Sequence, residues 1–240
     1  MLKTVLVRTA ISLTVLLALF IGWAGWMAVS VYRTLSKYQP EVGDVLIQSI
    51  TPCGRLLRTV KGVTESKWCH CGVVDKKNGR WVVCEAVGDG VRYTPLAHFL
   101  LRGDEIDFAV YRLQGDFKKH AAELAKCCKP YVGRPYDIQY ELDDEKLYCS
   151  ELVYKAYRDA THGDELGLVQ RFGELNWQDF KADIAHYHGS DDLPLDRQIV
   201  TPVSLTWSKQ LEKVLELQSA VPMRSKRAPA AGFSVFGAAL

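Results

Sequence analysis

The first pattern along the chain is one long apolar run. Residues 9–32 carry no charged side chain, and basic residues flank the run on both sides. About 20 apolar residues suffice to span a bilayer, and Trp23, Trp26 and Tyr32 lie near one end, as in an interfacial aromatic belt. The run predicts one N-terminal transmembrane helix. A cleaved signal peptide is the alternative, because residues 28–30 place small side chains where a signal peptidase prefers them.

Short apolar runs separated by turn residues follow between residues 44 and 113. Asn78-Gly79 predicts a two-residue hairpin turn, and Gly88 and Gly90 predict another turn. Residues 52–68 are expected to form a loop or short helix. Strands are predicted over residues 44–49, 68–75, 81–87 and 106–113. These runs predict a mostly antiparallel sheet.

Helical spacing replaces this pattern in the second half of the chain. Asp116 is expected to cap the first helix, and Thr201 with Pro202 to begin the last. Residues 131–148 are interpreted as an ordered loop, and residues 164–198 show no clear pattern. Helices are predicted over residues 117–129, 149–163 and 203–217. Strands followed by helices predict the α+β class.

Composition narrows the class of protein only a little. The chain has 240 residues, a formal net charge of +2 and seven cysteines. The sequence has no basic stripe interleaved with aromatic residues, which is the pattern that indicates nucleic acid as a partner. An odd cysteine count cannot be fully paired, so mostly reduced thiols are predicted. We expect an anchor or signal peptide with its flanks in residues 1–37, a folded domain in residues 38–220 and a disordered basic tail in residues 221–240.

Cys149 is the candidate nucleophile. It stands directly at the start of a predicted helix, where the partial positive charge of the helix N-terminus makes a thiol easier to ionise. A cysteine that packs as a small apolar residue is the alternative. A nucleophilic role requires a histidine base and a third polar group that orients the imidazole.

His70 is the candidate base among the six histidines. It lies in the predicted strand 68–75, just before Gly72, which permits close approach of another backbone. The hairpin pairing makes Glu85 a diagonal neighbour of His70 on the same face of the sheet. A carboxylate there can accept a hydrogen bond from one ring nitrogen and leave the other for sulfur. A glutamate that faces water is the alternative.

The cysteines around His70 raise the possibility of a metal site. Cys69 and Cys71 flank His70, and Cys84 lies on the partner strand. Neighbouring side chains on a strand point to opposite faces, and zinc ligands are usually separated by two or more residues. This geometry weakens zinc binding through Cys69, Cys71 and Cys84, which stays open as an alternative.

Four stretches together resemble a known family: GDVLIQS, SKWCHCGVV, VCEAVGDGVRYTPL and YVGRPYDIQYELDDEKLYCSELVYKAY. They are similar to the YaeF/YiiX-type permuted papain-like amidases, relatives of the NlpC-type cysteine peptidases and of the lecithin:retinol acyltransferase group. The resemblance covers about residues 43–157 and implies a papain-like α+β fold, with an antiparallel sheet packed against helices. It implies catalytic roles for His70, Glu85 and Cys149, in that chain order. It also implies Tyr136 and the Cys149 backbone N–H as oxyanion donors, with no cofactor.

The resemblance implies a thiol hydrolase that cleaves an amide bond, in a peptide or cell-wall substrate, through a thioester. A lipid esterase or acyltransferase with the same residues is one alternative, which the predicted anchor favours. A catalytically inert, membrane-tethered binding module is the other. The predicted location is a single-pass membrane protein, held in the bilayer by residues 9–32, with its domain on the exported side. The balanced flanking charges leave this orientation open. The oligomeric state is also left open by the sequence.

Overall fold

The computed structural model describes residues 14–22, 25–26, 29, 32–33, 36–51, 53–102 and 106–218. Its strands are β1 (Val45–Gln48), β2 (His70–Lys77), β3 (Arg80–Val87), β4 (Gly90–Pro95), β5 (Asp107–Leu113), β6 (Val169–Arg171), β7 (Gln198–Val200) and β8 (Leu211–Gln218). Its helices after residue 36 are α1 (Arg55–Val63), α2 (Leu96–Leu100), α3 (Ala121–Cys127), α4 (Cys149–Thr161), α5 (Lys181–His188) and α6 (Pro202–Leu205).

Six strands form one antiparallel sheet in the order β4-β3-β2-β1-β5-β8. The hairpin between β2 and β3 pairs Val73 with Cys84 and Lys77 with Arg80, which confirms the predicted register. Asn78 and Gly79 both have positive φ, the conformation that such a two-residue turn requires. The register of this hairpin therefore follows directly from its turn residues.

The two faces of the sheet carry separate cores. One face packs against α3 and α4, and its core includes Ile47, Val73, Leu124, Leu152 and Tyr157. The other face is covered around α2, and its core includes Leu46, Val74, Phe99 and Phe108. Alternate residues of β1 and β2 thus belong to opposite cores, as expected of strands buried on both faces. The sheet with helices on it agrees with the predicted α+β class.

The predicted helix over residues 203–217 is wrong. Only Pro202–Leu205 is helical, and Leu211–Gln218 is the edge strand β8, paired with β5. Leu211 and Leu217 are buried, because pairing with β5 places them on the sheet. Tertiary pairing here outweighs the helical preference of a short segment. The predicted start was right, since the Thr201 side chain accepts a hydrogen bond from the Ser204 N–H and Pro202 follows it.

Two other segments differ from the predictions. Gly90–Pro95, expected to be part of a turn, is strand β4 and pairs with β3. The predicted helix over residues 117–129 is broken into a 3₁₀ turn (Gly115–His120), α3 and a second 3₁₀ turn (Lys129–Tyr131). Gln114, not the predicted Asp116, occupies the N-cap position of the first 3₁₀ turn. Pro130 has no backbone N–H to continue an α-helical ladder, and this accounts for the break after α3.

The N-terminal segment is described only in part. Residues 14–22 are helical, whereas residues 9–13 and several positions up to residue 31 lie outside the described residues, as does the predicted tail 221–240. Within the described part of the chain, no helix has the length and apolar character needed to cross a bilayer. The anchor over residues 9–32 therefore stays a prediction.

Candidate active site

Cys149 is the first residue of α4 and is 3% exposed. The helix start is tied to β7 by two hydrogen bonds to Val200. The Val200 N–H donates to the Tyr148 hydroxyl (3.1 Å), and the Ser150 hydroxyl donates to the Val200 carbonyl (2.8 Å). The backbone N–H of Cys149, like others in a first helical turn, has no partner within the helix. The fold therefore fixes both the sulfur and a free N–H donor at one place.

His70 is the first residue of β2 and is equally buried. Its Nε2 lies 2.5 Å from Glu85 Oε2, and its ring lies against that of Phe99, with 5.5 Å between the centroids. Gly72 allows β3 to lie this close to β2, because a Cβ at position 72 would lie 2.8 Å from the Cys84 carbonyl oxygen. Since Glu85 occupies Nε2, Nδ1 is the ring nitrogen available to Cys149.

Glu85 is completely buried and fully bonded. Arg102 donates to both carboxylate oxygens, at 2.7 Å and 2.5 Å, and the Thr94 hydroxyl donates to Oε1 at 2.5 Å. With His70, the carboxylate therefore has four hydrogen bonds. The alternative of a water-facing glutamate is wrong, because the pairing with β4 and the end of α2 cover this part of β3.

Arg102 and Thr94 were not predicted from the sequence. Glu85 pairs with Arg92 across β3 and β4, so Thr94 is a diagonal neighbour of Glu85 on the same face. Had β4 been predicted as a strand, the same reasoning that linked Glu85 to His70 would have found Thr94. Arg102 has no comparable signal, because it reaches Glu85 from beyond α2 through tertiary packing.

The three predicted residues shift one another's pKa values. Burial acts to raise the pKa of Glu85, but Arg102 and His70 outweigh it and hold that pKa far below its usual range. Burial acts to lower the pKa of His70, but Cys149 and Glu85 raise it to about 9. A hydrogen bond from the Cys71 side chain lowers the pKa of Cys149, burial opposes this, and His70 lowers it further, with a net value well below 9.0. The arrangement favours a thiolate beside an imidazolium.

Two tyrosines lie beside this cluster. Backbone hydrogen bonds join residue 147 to residues 135 and 137, and these bonds bring Tyr136 next to the cysteine segment. The Tyr136 and Tyr140 hydroxyl oxygens are 3.4 Å apart, and the Tyr140 ring packs on Tyr148 with centroids 4.7 Å apart. Burial raises the pKa of Tyr136, so its hydroxyl stays protonated and able to donate. Tyr140, in a positive-φ conformation, was not predicted.

The three cysteines of the zinc alternative do not converge. Cys69 accepts a hydrogen bond from the Ile50 N–H at 3.4 Å, whereas Cys71 interacts with Cys149 and Cys84 with Cys128. In the described part of the chain, no group of three or more His, Cys, Asp or Glu residues is arranged to hold a metal ion. Cys69 lies just before β2, whereas Cys71 is inside it, and His70 and Cys71 both interact with Cys149.

Comparison with known proteins settles the family. A family model described as permuted papain-like amidase enzyme, YaeF/YiiX, C92 family, matches residues 39–215. The chain belongs to this family. The membership confirms the family predicted from the four sequence stretches. It also makes the protein a member of a family of cysteine-type, peptidase-like amidases.

Two proteins similar to this permuted papain-like amidase come from Escherichia coli. The uncharacterized protein YiiX of strain K12 is 31% identical over 180 residues, which are 74% of this chain and 87% of YiiX. The crystal structure of the metalloprotein yiiX from Escherichia coli O157:H7 aligns with a TM-score of 0.68 at 29% identity. That alignment covers 75% of this chain and 99% of the other. The shared fold thus extends over nearly the whole of the second protein.

Proposed function

We propose that the chain is a cysteine amidase in which Cys149, His70 and Glu85 act together. The observation that supports it is the connected arrangement of a thiol at a helix start, an imidazole beside it and a fully bonded carboxylate on the far ring nitrogen. This is the order of nucleophile, base and orienting group that thiol catalysis needs. The catalytic unit is the domain predicted over residues 38–220.

In the first half of the reaction, the Cys149 thiolate attacks the carbonyl carbon of an amide. The C–S bond forms while the π electrons move onto the carbonyl oxygen. The Cys149 N–H and the Tyr136 hydroxyl donate to that oxygen. The His70 imidazolium then gives its Nδ1 proton to the amide nitrogen as the C–N bond breaks. The amine leaves and a thioester remains on Cys149.

In the second half, water attacks the thioester carbon and gives a proton to Nδ1 of His70. The C–S bond breaks, the carboxylic acid leaves and the thiolate returns beside the imidazolium. Glu85 acts as a positioning residue throughout, because its bond to Nε2 holds the ring and stabilises its cationic form. The same thioester passed to an alcohol or amine would be acyl transfer, so the acceptor alone separates the two reactions.

The test is alkylation of the full chain by iodoacetamide, followed by peptide mass spectrometry. Cys149 is expected to react fastest of the seven thiols and to keep reacting below pH 7, because its pKa is depressed. Cys149→Ala should remove this labelling and all amide hydrolysis. Cys127→Ala is the matched control, since burial raises the pKa of that half-buried thiol. Labelling of Cys149 only above about pH 8 would contradict the proposal.

A further inference from the structure

A second thiol lies against the Cys149 sulfur. Cys71, one residue after His70 on β2, is completely buried, and its S–H donates a hydrogen bond to Cys149. Successive side chains of β2 point to opposite faces of the sheet. Cys71 therefore belongs to the core that includes α4, whereas His70 lies beside Phe99 of the other core. The sulfur of Cys149 thus has an imidazole and a thiol as neighbours, and the proposed amide hydrolysis uses the imidazole as its acid and base.

The sheet opens at the point where this contact is made. The ladder between β2 and β3 stops at Val73, although β2 itself begins at His70. Beyond the end of this ladder, the backbone N–H of Cys71 donates a second hydrogen bond to the Cys149 sulfur. Both the side chain and the backbone of Cys71 therefore hold the nucleophile, and the two sulfur atoms are neighbours in a fixed arrangement.

The other buried thiols are bonded elsewhere. Cys69, on the other side of His70, accepts a hydrogen bond from the Ile50 N–H and contacts the Gln48 carbonyl. Cys84 and Cys128 bond to each other, away from the cysteine helix start. Cys71 is therefore the thiol that is placed to react with Cys149.

The two neighbouring thiols differ in charge. The hydrogen bond from Cys71 holds the pKa of Cys149 well below its usual range, whereas burial holds the pKa of Cys71 well above it. A thiolate therefore faces a protonated thiol. Peroxides oxidise the thiolate form of cysteine to a sulfenic acid, and a sulfenic acid condenses with a neighbouring thiol. Hydrogen peroxide is also smaller than any amide, so an opening that admits the substrate carbonyl admits the peroxide.

We propose that a peroxide converts Cys71 and Cys149 into a reversible disulfide, in which Cys71 protects the nucleophile from irreversible oxidation. The disulfide would join β2 to the start of α4 and would block the attacking sulfur until a dithiol reduces it. This inference goes beyond amide hydrolysis and needs only the reactive thiolate of Cys149.

The oxidation takes place in two steps. The Cys149 thiolate attacks one oxygen of hydrogen peroxide, so that an S–O bond forms and the O–O bond breaks. The departing hydroxide takes the proton of the His70 imidazolium and leaves as water. The Cys71 sulfur then attacks the Cys149 sulfur, the S–S bond forms as the S–O bond breaks, and the Cys71 proton leaves with the hydroxide as a second water. Two electrons pass from the two sulfur atoms to one peroxide, and a dithiol returns them.

The first test treats the full chain with hydrogen peroxide and digests it with trypsin without a reductant. Cys71 falls in the peptide 68–76 and Cys149 in the peptide 147–155. We expect mass spectrometry to find the two peptides joined, with their summed mass less two hydrogen atoms. Because the peptide 68–76 also contains Cys69, Cys69→Ala is the matched control. It should form the same crosslink, whereas Cys71→Ala should form none.

The second test measures how much of the nucleophile a reductant recovers. After peroxide and then dithiothreitol, iodoacetamide labelling of Cys149 is compared with the labelling of the same variant before treatment. Wild type and Cys69→Ala should recover. Recovery should fall on the order of tenfold in Cys71→Ala, because thiols do not reduce a sulfinic acid. Cys71→Ser keeps a donor of similar size but no second sulfur, and it should lose recovery equally. Labelling of Cys149 before treatment shows that the site of each variant has folded.

The outcomes separate this inference from the proposed function. A crosslink from Cys149 to a cysteine other than Cys71 would overturn the inference, as would direct conversion of Cys149 to a sulfinic acid in the wild type. Equal recovery in wild type and Cys71→Ala would also overturn it, and the amidase proposal would stand. Absence of Cys149 labelling before any peroxide is added would instead refute the proposed function, and the inference with it.

Discussion

Glu85 on β3 and Glu151 on α4 are both fully buried near Cys149, yet their surroundings shift their pKa values in opposite directions. Arg102, Thr94 and His70 together donate four hydrogen bonds to Glu85, and its pKa lies far below the usual range. Burial raises the pKa of Glu151 to about 8, and its charged neighbours only partly offset this. At neutral pH the first carboxyl is ionised and the second is mostly protonated.

The hydrogen-bond donors around each carboxyl explain the difference between the pKa values of Glu85 and Glu151. The Tyr148 N–H donates to Glu151 at a long 3.3 Å. Lys155 Nζ lies 2.9 Å from Glu151 Oε1, but that oxygen has no well-oriented hydrogen bond among the described residues. Lys155 also binds Asp144 Oδ1 at 2.8 Å, so its charge is shared. Equal burial therefore leaves a carboxyl charged only where enough donors replace the lost water. In this site, the charged carboxyl is the one that contacts His70.

Glu85→Gln should have the largest effect, because it removes the charge that His70 and Arg102 both contact. We expect a loss of about a hundredfold or more in amide hydrolysis and about 3 kcal/mol or more in the free energy of unfolding. A lowered carboxyl pKa stabilises the fold above the ordinary value of 4.5, and this stabilisation declines as the pH falls below it. Urea denaturation should therefore show the gap between variant and wild type narrowing in acid.

Glu123→Gln is the control for that measurement. Glu123 pairs with Lys126 on the surface of α3, and 46% of its side chain is exposed. Exposed pairs of this type contribute about 1 kcal/mol or less, so this variant should stay close to wild type. If Glu85→Gln also stayed close to wild type in both activity and stability, the four hydrogen bonds would not set the charge of the site.

Arg102→Met should have the second-largest effect, because it removes two of the four hydrogen bonds to Glu85 but leaves the Glu85 carboxyl in place. The expected loss in the free energy of unfolding is about 2–3 kcal/mol. The Glu85 pKa should rise, and the upper limb of the pH–rate profile should move, because the charge on Glu85 supports the His70 cation. Arg102→Lys keeps the charge without the two-pronged geometry and should recover part of the loss. Arg171→Met, on an exposed pair, is the control.

Glu151→Gln tests the other half of the comparison, and its effect should be smaller and of opposite sign. A raised carboxyl pKa favours the fold below the ordinary value of 4.5, and that contribution declines as the pH rises towards about 8. Glutamine resembles the protonated acid, so the variant should gain on wild type by about 2 kcal/mol between about pH 5 and about pH 8. Denaturation midpoints at both pH values measure this. A gain that did not depend on pH would show that Glu151 is already ionised in the fold.

The sequence could predict the contacts that depend on local geometry. Asn78-Gly79 sets the register of β2 and β3, and this register alone links Glu85 to His70. The contacts that depend on tertiary packing were beyond reach. Arg102 follows α2, whose position is set by Phe99 in the second core, and no periodicity in the sequence indicates that position. Residues 164–198 likewise form short strands, 3₁₀ turns and α5, which leave no period long enough to detect.

Thr94→Val should have the smallest effect, and it separates hydrogen-bond number from charge around Glu85. The change removes one neutral donor at nearly constant volume and leaves the Arg102 and His70 bonds intact. We expect a loss of about 1 kcal/mol in the free energy of unfolding and only a few-fold loss of activity. Thr206→Val, which removes a hydroxyl bonded to the Val203 carbonyl outside the site, is the matched control. A loss as large as that of Arg102→Met would mean that complete bonding, more than the guanidinium charge, keeps Glu85 ionised.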